Sequence, residues 1–242
     1  MGNWPEATQG KKPNVQTTRL LVRIGAYSIS IRAMTIVLAL IAYLIGSVSF
    51  AVVVSRAMGL PDPHSYGSKN PGATNVLRTG NKAAAVLTLL GDCAKGWLAV
   101  FLTDYFFATA VPPVYKMAPV AVAVVAGHMY PVFHRFQGGK GVATALGVLL
   151  GLNPWLAAGA GATWIIIAVF FRMSSLAALI AAVSAPVFCY MLYEIHPYTL
   201  AVTIIALLLI WRHKTNIGKL LAGTEGRIGG NKTAAAEPQD SN

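Results

Sequence analysis

The sequence predicts an all-α, polytopic membrane protein with about seven transmembrane helices. Three observations carry that expectation: 55% of the 242 residues are hydrophobic, only 11% are charged, and the charges lie between long apolar runs. A soluble domain of this length carries about a quarter charged residues, so an ordinary globular fold is excluded at the outset. The formal charge of +11 raises nucleic acid as a partner. The lysines and arginines flank apolar spans instead of forming one basic face, however, so membrane topology accounts for them and no nucleic-acid partner is expected. Cys93 and Cys189 both sit inside apolar runs, where each reads as a small hydrophobe; no disulfide, metal or cofactor is expected from them.

Taking roughly 15–25 apolar residues per crossing, the spans fall at 36–57, 82–107, 116–133, 140–152, 154–171, 174–193 and 196–212. The fourth is short and 151-GLNP-154 turns tightly after it, so the fourth and fifth read alternatively as a re-entrant pair. Arg56, Lys69, Arg78 and Lys82 flank the first connection, Arg135 and Lys140 lie in the third, Arg172 in the fifth, and Arg212, Lys214, Lys219, Arg227 and Lys232 follow the last span. The even-numbered connections hold only Lys116. Because lysine and arginine accumulate on the cytoplasmic side, the amino end of the bundle is expected outside and the carboxyl end in the cytoplasm.

Residues 1–33 disagree with that sidedness, since Lys11, Lys12, Arg19, Arg23 and Arg32 would have to cross. They are expected to lie outside the functional protein, with Met34 as its start; the alternative is an interfacial extension. The membrane domain then runs over 34–227, and residues 228–242, including 231-NKTAAAEPQDSN-242, are expected to form a polar, disordered tail.

Three polar stretches interrupt the apolar pattern, and the alternation of spans puts all three on the cytoplasmic face. The first, 61-PDPHSYGSKNPGATNVLRTGNK-82, is too rich in Gly, Pro, Ser and Asn for a helix, and lipid does not tolerate its bare backbone. Ser68, Asn70, Thr74 and Asn75 offer short donors and acceptors, and Arg78 a planar fork suited to phosphate. An ordinary cytoplasmic loop is the plainer alternative.

The second stretch is 127-GHMYPVFHRFQGGKGVAT-144. Gly138, Gly139 and Gly141 let successive backbone N–H groups approach an anion, the helix expected to start near Val142 aims its positive end the same way, and Lys140 adds a full charge. It is not the nucleotide loop GxxxxGK[ST], because His134 stands where that motif needs glycine and Gly141 follows the lysine. A flexible turn is the alternative.

The third is 212-RHKTNIGKLLAGTEGRIG-229. His213 and Asn216, three apart, are expected on one helical face with Arg212 and Lys214 turned elsewhere, and Glu225 follows a glycine break. Asp92 and Lys95 lie three apart inside the second span and read as a buried ion pair that fixes packing, with a direct substrate role for Lys95 as the lesser alternative. Ser174 and Ser175 stand at the start of a span beside Arg172, where they cap a helix or supply a donor.

In order, spacing and sidedness, GSKNPGATNVLR, then GHMYPVF and FQGGKGVAT, then RHKTNIGKLLAGTE resemble the three signature motifs of the bacterial acyl-phosphate:glycerol-3-phosphate acyltransferases. The likeness runs from about Met34 to Glu225. It implies seven membrane helices in the bacterial inner membrane with a cytoplasmic site, no cofactor, and transfer of a fatty acyl group from acyl phosphate to the sn-1 hydroxyl of glycerol 3-phosphate. Lysophosphatidic acid and phosphate are the implied products, and this is the first acylation of phospholipid synthesis. The catalytic residues it implies are Ser68, Arg78, Lys140, His213 and Asn216; substrate-binding residues are Asn70, Asn75, Gly138, Gly139, Gly141, Thr144, Ser175 and Glu225. The family usually reads GSGN where this chain has Gly67-Ser68-Lys69-Asn70, and lysine avoids the positive φ that glycine accepts.

The implied chemistry needs little covalent catalysis, because an acyl phosphate is already an activated mixed anhydride. Positioning and charge neutralisation supply most of the acceleration, and either His213 or a substrate phosphate takes the proton. No HxxxxD pair is present: His64, His128 and His134 are followed at that spacing by Lys69, Phe133 and Gly139. That favours acyl phosphate over acyl-CoA. An organic-phosphate transporter is the rival reading, but such proteins place broken helices near the midplane in paired halves, and this chain shows no repeat.

Overall fold

The computed structural model describes residues 15–107 and 113–229, and within them every regular element is helical. Helix α1 (Val15–Ser47) breaks at Val48–Ser49 and continues as α2 (Phe50–Ala57). The expected single first span is therefore two helices, with Ser49 capping the second. Residues 15–33, expected to lie outside the functional protein, are helical and continuous with the first span; residues 1–14 fall outside the described set.

The first polar stretch contains a short helix α3 (Ala73–Val76) and a 3-10 turn (Leu77–Thr79), where no helix was expected. Its turns sit before and after: Gly67, Lys69 and Gly80 all take positive φ. Helices α4 (Lys82–Phe107), α5 (Pro113–Met129), α6 (Val142–Leu152), α7 (Pro154–Phe171), α8 (Ser174–Tyr193), α9 (Pro197–Arg212) and α10 (Lys214–Leu221) complete the bundle. Asn153 and Pro154 explain the tight turn: the Asn153 side chain accepts from the Trp155 N–H while proline occupies the first position of α7.

Among the described residues, five helices are long and apolar enough to cross a bilayer, and a sixth if α9 and α10, bent by 60° at His213, count as one span. Helix α6, with 11 residues, rises only about 16 Å, half the hydrocarbon thickness. It lies against α4 because neither backbone carries a side chain at the crossing. A Cβ on Gly96 would overlap the Thr144 carbonyl, and one on Gly147 the Cys93 carbonyl. Helices α1 and α5 use the same device, Gly46 against Val124 and Gly127 against Tyr43. With lipid as apolar as the side chains, such close backbone packing is what drives helix association.

Lys116, read from sequence as a connection residue, is fully buried on α5 and donates to the Phe107 carbonyl at the end of α4 at 2.5 Å. Ile228, assigned to the expected tail, exchanges hydrogen bonds with Arg172: its N–H donates to the Arg172 carbonyl at 2.6 Å, and Arg172 Nη2 donates to its carbonyl at 3.1 Å. The remainder of that expected tail, 230–242, lies outside the described residues.

The glycine contacts make a prediction. Gly147→Val should destabilise the bundle by about 1–3 kcal/mol or more through overpacking, whereas Gly218→Ala, on α10 with nothing within 4 Å, should stabilise by roughly 0.5–1 kcal/mol. Thermal unfolding in detergent micelles, comparing the two variants, checks both signs.

Candidate functional site

The alternation of helices returns all three polar stretches to one end of the bundle, where they enclose a cleft of about 560 Å³. Its wall takes Gly67, Ser68, Lys69 and Asn70 from the first stretch. Phe136, Gln137, Gly138 and Lys140 come from the second, and Trp211, Arg212, Lys214, Thr215, Asn216 and Lys219 from the third.

The first stretch is folded around Asn75, which is 2% exposed. Its amide donates to the Pro63 carbonyl at 2.8 Å and the Tyr66 carbonyl at 3.3 Å, and its Oδ1 accepts from Ser68 N at 3.0 Å and Ser68 Oγ at 3.1 Å. Asn75 is thus the internal pin of the loop, while Ser68 faces the cleft. Lys69 adopts φ +54°, in the left-handed region that lysine is expected to avoid, at a strain of about 1 kcal/mol. Arg78 lies across Gly67, where an added Cβ would meet its Cδ and Nη1 at 3.0 Å.

In the second stretch, Arg135 and Phe136 both take positive φ and turn the chain sharply after Pro131. Gly138 and Gly139 are buried, and neither has room for a Cβ: the His128 carbonyl blocks the first and the His128 ring the second. Gly141, at φ +86°, caps α6, which begins at Val142 as the sequence predicts. Arg212 holds this loop from outside. Its Nη2 donates to the Gly138 carbonyl at 2.6 Å, its Nε to the Gly139 carbonyl at 3.2 Å, and its guanidinium stands 5.2 Å from the Tyr130 ring centre. Sequence reasoning missed this role, because it placed Arg212 on a continuous helix that instead breaks one residue later.

That break also corrects the expected pairing of His213 with Asn216. His213 ends α9, Asn216 belongs to α10, and the two do not share a face of one helix. His213 is 2% exposed and off the cleft wall. Its Nδ1 donates to the Leu209 carbonyl at 2.7 Å, which leaves the lone pair on Nε2. Burial, with the Lys140 charge beside it, pushes its pKa down to about 4, so the ring is neutral at physiological pH.

Asn216 instead joins a chain of bonds across three elements. Lys140 Nζ donates to Asn216 Oδ1 at 2.5 Å, Asn216 Nδ2 donates to Glu225 Oε1 at 2.7 Å, and Ser175 Oγ donates to the same carboxylate oxygen at 2.7 Å. Ser175 and Glu225 therefore satisfy each other behind the wall. Thr144 is fully buried in α6, and its hydroxyl has no partner among the described residues. Thr74 is exposed on α3 and off the wall. Of the residues singled out in the sequence, Ser68, Asn70, Gly138, Lys140 and Asn216 line the cleft.

Lys140 lies before α6, and burial pushes its ammonium down to about 8, with Lys219, Arg212 and Arg78 acting the same way against Glu225. A positive cleft with one ammonium near neutrality attracts an anion, and a phosphate monoester is the probe of choice. A bound phosphate favours the protonated lysine, so affinity should hold below pH 8 and weaken as the pH rises through about 8. Lys140→Arg should remove that alkaline limb. Binding of a phosphate monoester measured from pH 7 to 9.5, wild type against variant, checks it.

The family model described as Glycerol-3-phosphate acyltransferase matches residues 36–223. The chain is similar to the glycerol-3-phosphate acyltransferase of Burkholderia vietnamiensis, 63% identical over 201 residues, covering 82% of this chain and 93% of the relative. A second, from Burkholderia orbicola, is 62% identical over 202 residues, covering 82% and 95%. Two crystal structures of PlsY (YgiH), an integral membrane glycerol 3-phosphate acyltransferase, share the fold at 36% identity, over 81% of this chain and 96% of theirs. The glycerol 3-phosphate form superposes with a TM-score of 0.74 and the lysophosphatidic acid form with 0.73. The motif order first seen in the sequence, the cleft those motifs enclose and these matches have one conclusion: the chain belongs to the glycerol-3-phosphate acyltransferase family.

Proposed function

We propose that this integral membrane acyltransferase moves a fatty acyl group from acyl phosphate to the sn-1 hydroxyl of glycerol 3-phosphate, releasing lysophosphatidic acid and inorganic phosphate. It does so from the cytoplasmic face of the bacterial inner membrane, as the first acylation of phospholipid synthesis. The basic residues at the cleft end of the bundle support that sidedness, with the amino end of seven crossings outside. The observation that carries the reading is the convergence of Ser68, Lys140 and Asn216 on one cationic cleft at the end of a lipid-facing bundle.

In this reading Lys140 and the Gly138 backbone hold the phosphate of glycerol 3-phosphate, Arg78 adds a planar cation, and Ser68 and Asn70 orient the glycerol. The sn-1 oxygen attacks the acyl carbonyl carbon, the bond from that carbon to the phosphate oxygen breaks, and the hydroxyl proton goes to the departing phosphate. His213 is the less suitable proton acceptor, because burial and the Lys140 charge hold its pKa at about 4 and it stands off the wall. Its Nδ1 bond to Leu209 fixes the join between α9 and α10, which places Asn216 against Lys140. Preorganised cations are worth more than a weak base when the leaving group is already good.

Purified protein given acyl phosphate and glycerol 3-phosphate, without metal or CoA, should release phosphate only when both are present. Turnover with acyl-CoA and none with acyl phosphate would overturn the donor assignment. His213→Gln should lower kcat by about tenfold or less, because loss of a general base costs on the order of 10²–10⁴; a loss in that higher range at unchanged KM would make His213 the base.

A further inference from the structure

We propose that Lys95, buried in α4, is a positioning residue for the glycine-rich loop, acting through His128. The inference deepens the reading above, since it rests on that loop taking the phosphate of glycerol 3-phosphate.

Lys95 and Asp92 are each about 3% exposed and lie 2.8 Å apart. An ion pair that served helix packing alone would be complete at that point, and would be replaceable by apolar side chains of similar volume. Lys95 reaches further. Its Nζ also donates to the Val48 carbonyl at 2.6 Å and to His128 Nδ1 at 2.9 Å. Lys95 thus makes one ion pair within α4 and two hydrogen bonds beyond it, to the break between α1 and α2 and to the end of α5.

Both outside partners stand where a functional loop leaves the bundle. Val48 directly precedes Ser49, the cap of α2, which leads into the first polar stretch. His128 lies at the end of α5, and its carbonyl accepts the Gly139 N–H at 3.1 Å. The ring edge carrying Nε2 is pressed on Gly139 closely enough to leave no space for a Cβ, and the Pro71 carbonyl borders the same point at 2.8 Å from that Cβ position. His128 is therefore the wedge between the first two polar stretches. By donating to Nδ1, Lys95 fixes the proton on Nε2 and the tilt of the ring. A ring free to rotate would release Gly139, and with it the backbone of Gly138 and the base of Lys140. The charge pair is retained at the cost of burying it because a neutral apolar contact cannot hold one ring orientation.

The test is the double variant Asp92→Asn with Lys95→Met, which removes both charges at similar volume and strands neither. Folded protein with wild-type thermal stability should show KM for glycerol 3-phosphate raised about tenfold or more, with kcat changed by less than about threefold. His128→Asn is the second variant, since its Oδ1 can still accept from Lys95 while the ring against Gly139 is gone; the same KM rise is expected. Unchanged KM in folded variants, a loss confined to kcat, or failure of both variants to fold would each overturn the positioning role. Lys140→Ala is measured alongside. If it leaves KM unchanged, the phosphate-site reading falls; if it raises KM and the other variants do not, the positioning role alone falls.

Discussion

The hydrogen bond from Lys140 to Asn216 is the contact on which the rest of the site depends. It ties the glycine-rich loop to the short helix that follows the last long helix, and each partner is held from behind. Glu225 accepts from Asn216 and from Ser175, so the start of α8 and the segment after α10 are anchored by the same carboxylate. Arg212 supplies the second tie, binding two glycine carbonyls that have no place in a regular element. Hydrogen bonds to charged groups, worth about 1.5–3 kcal/mol each, do here what helix packing does elsewhere in the bundle.

The balance of charge at that end is uneven by construction. Glu225 is committed to two neutral donors, while Lys69, Lys140, Arg212, Lys214 and Lys219 all border the cleft. The positive charge is left for a ligand to neutralise, and crowding with burial moves Lys140 down to about 8. An anionic ligand would reverse both effects at once.

The membrane sets where this can happen. Along α1, α4, α7 and α8 large apolar side chains such as Leu40, Leu90, Phe170 and Met191 are exposed, because their solvent is lipid. The three polar stretches meet at one end, next to that apolar surface.

The sequence by itself determined the helical membrane class, the approximate limits of most helices, the start of α6 and the identity of the three polar stretches. It did so because hydrophobic length, proline, glycine and charge act locally. Tertiary structure alone decided which of those polar residues meet the cleft. Asn75 and Ser68 look equivalent in the sequence, yet one is consumed inside its loop and the other faces outward. Arg212 was misplaced because a break of one residue at His213 redirects everything around it by 60°. Lys95 reads as a local pair with Asp92 until the fold brings Val48 and His128 to its other protons. The last two assignments rest on contacts between residues 33 to 74 positions apart, and no local pattern encodes which distant acceptor a donor will find.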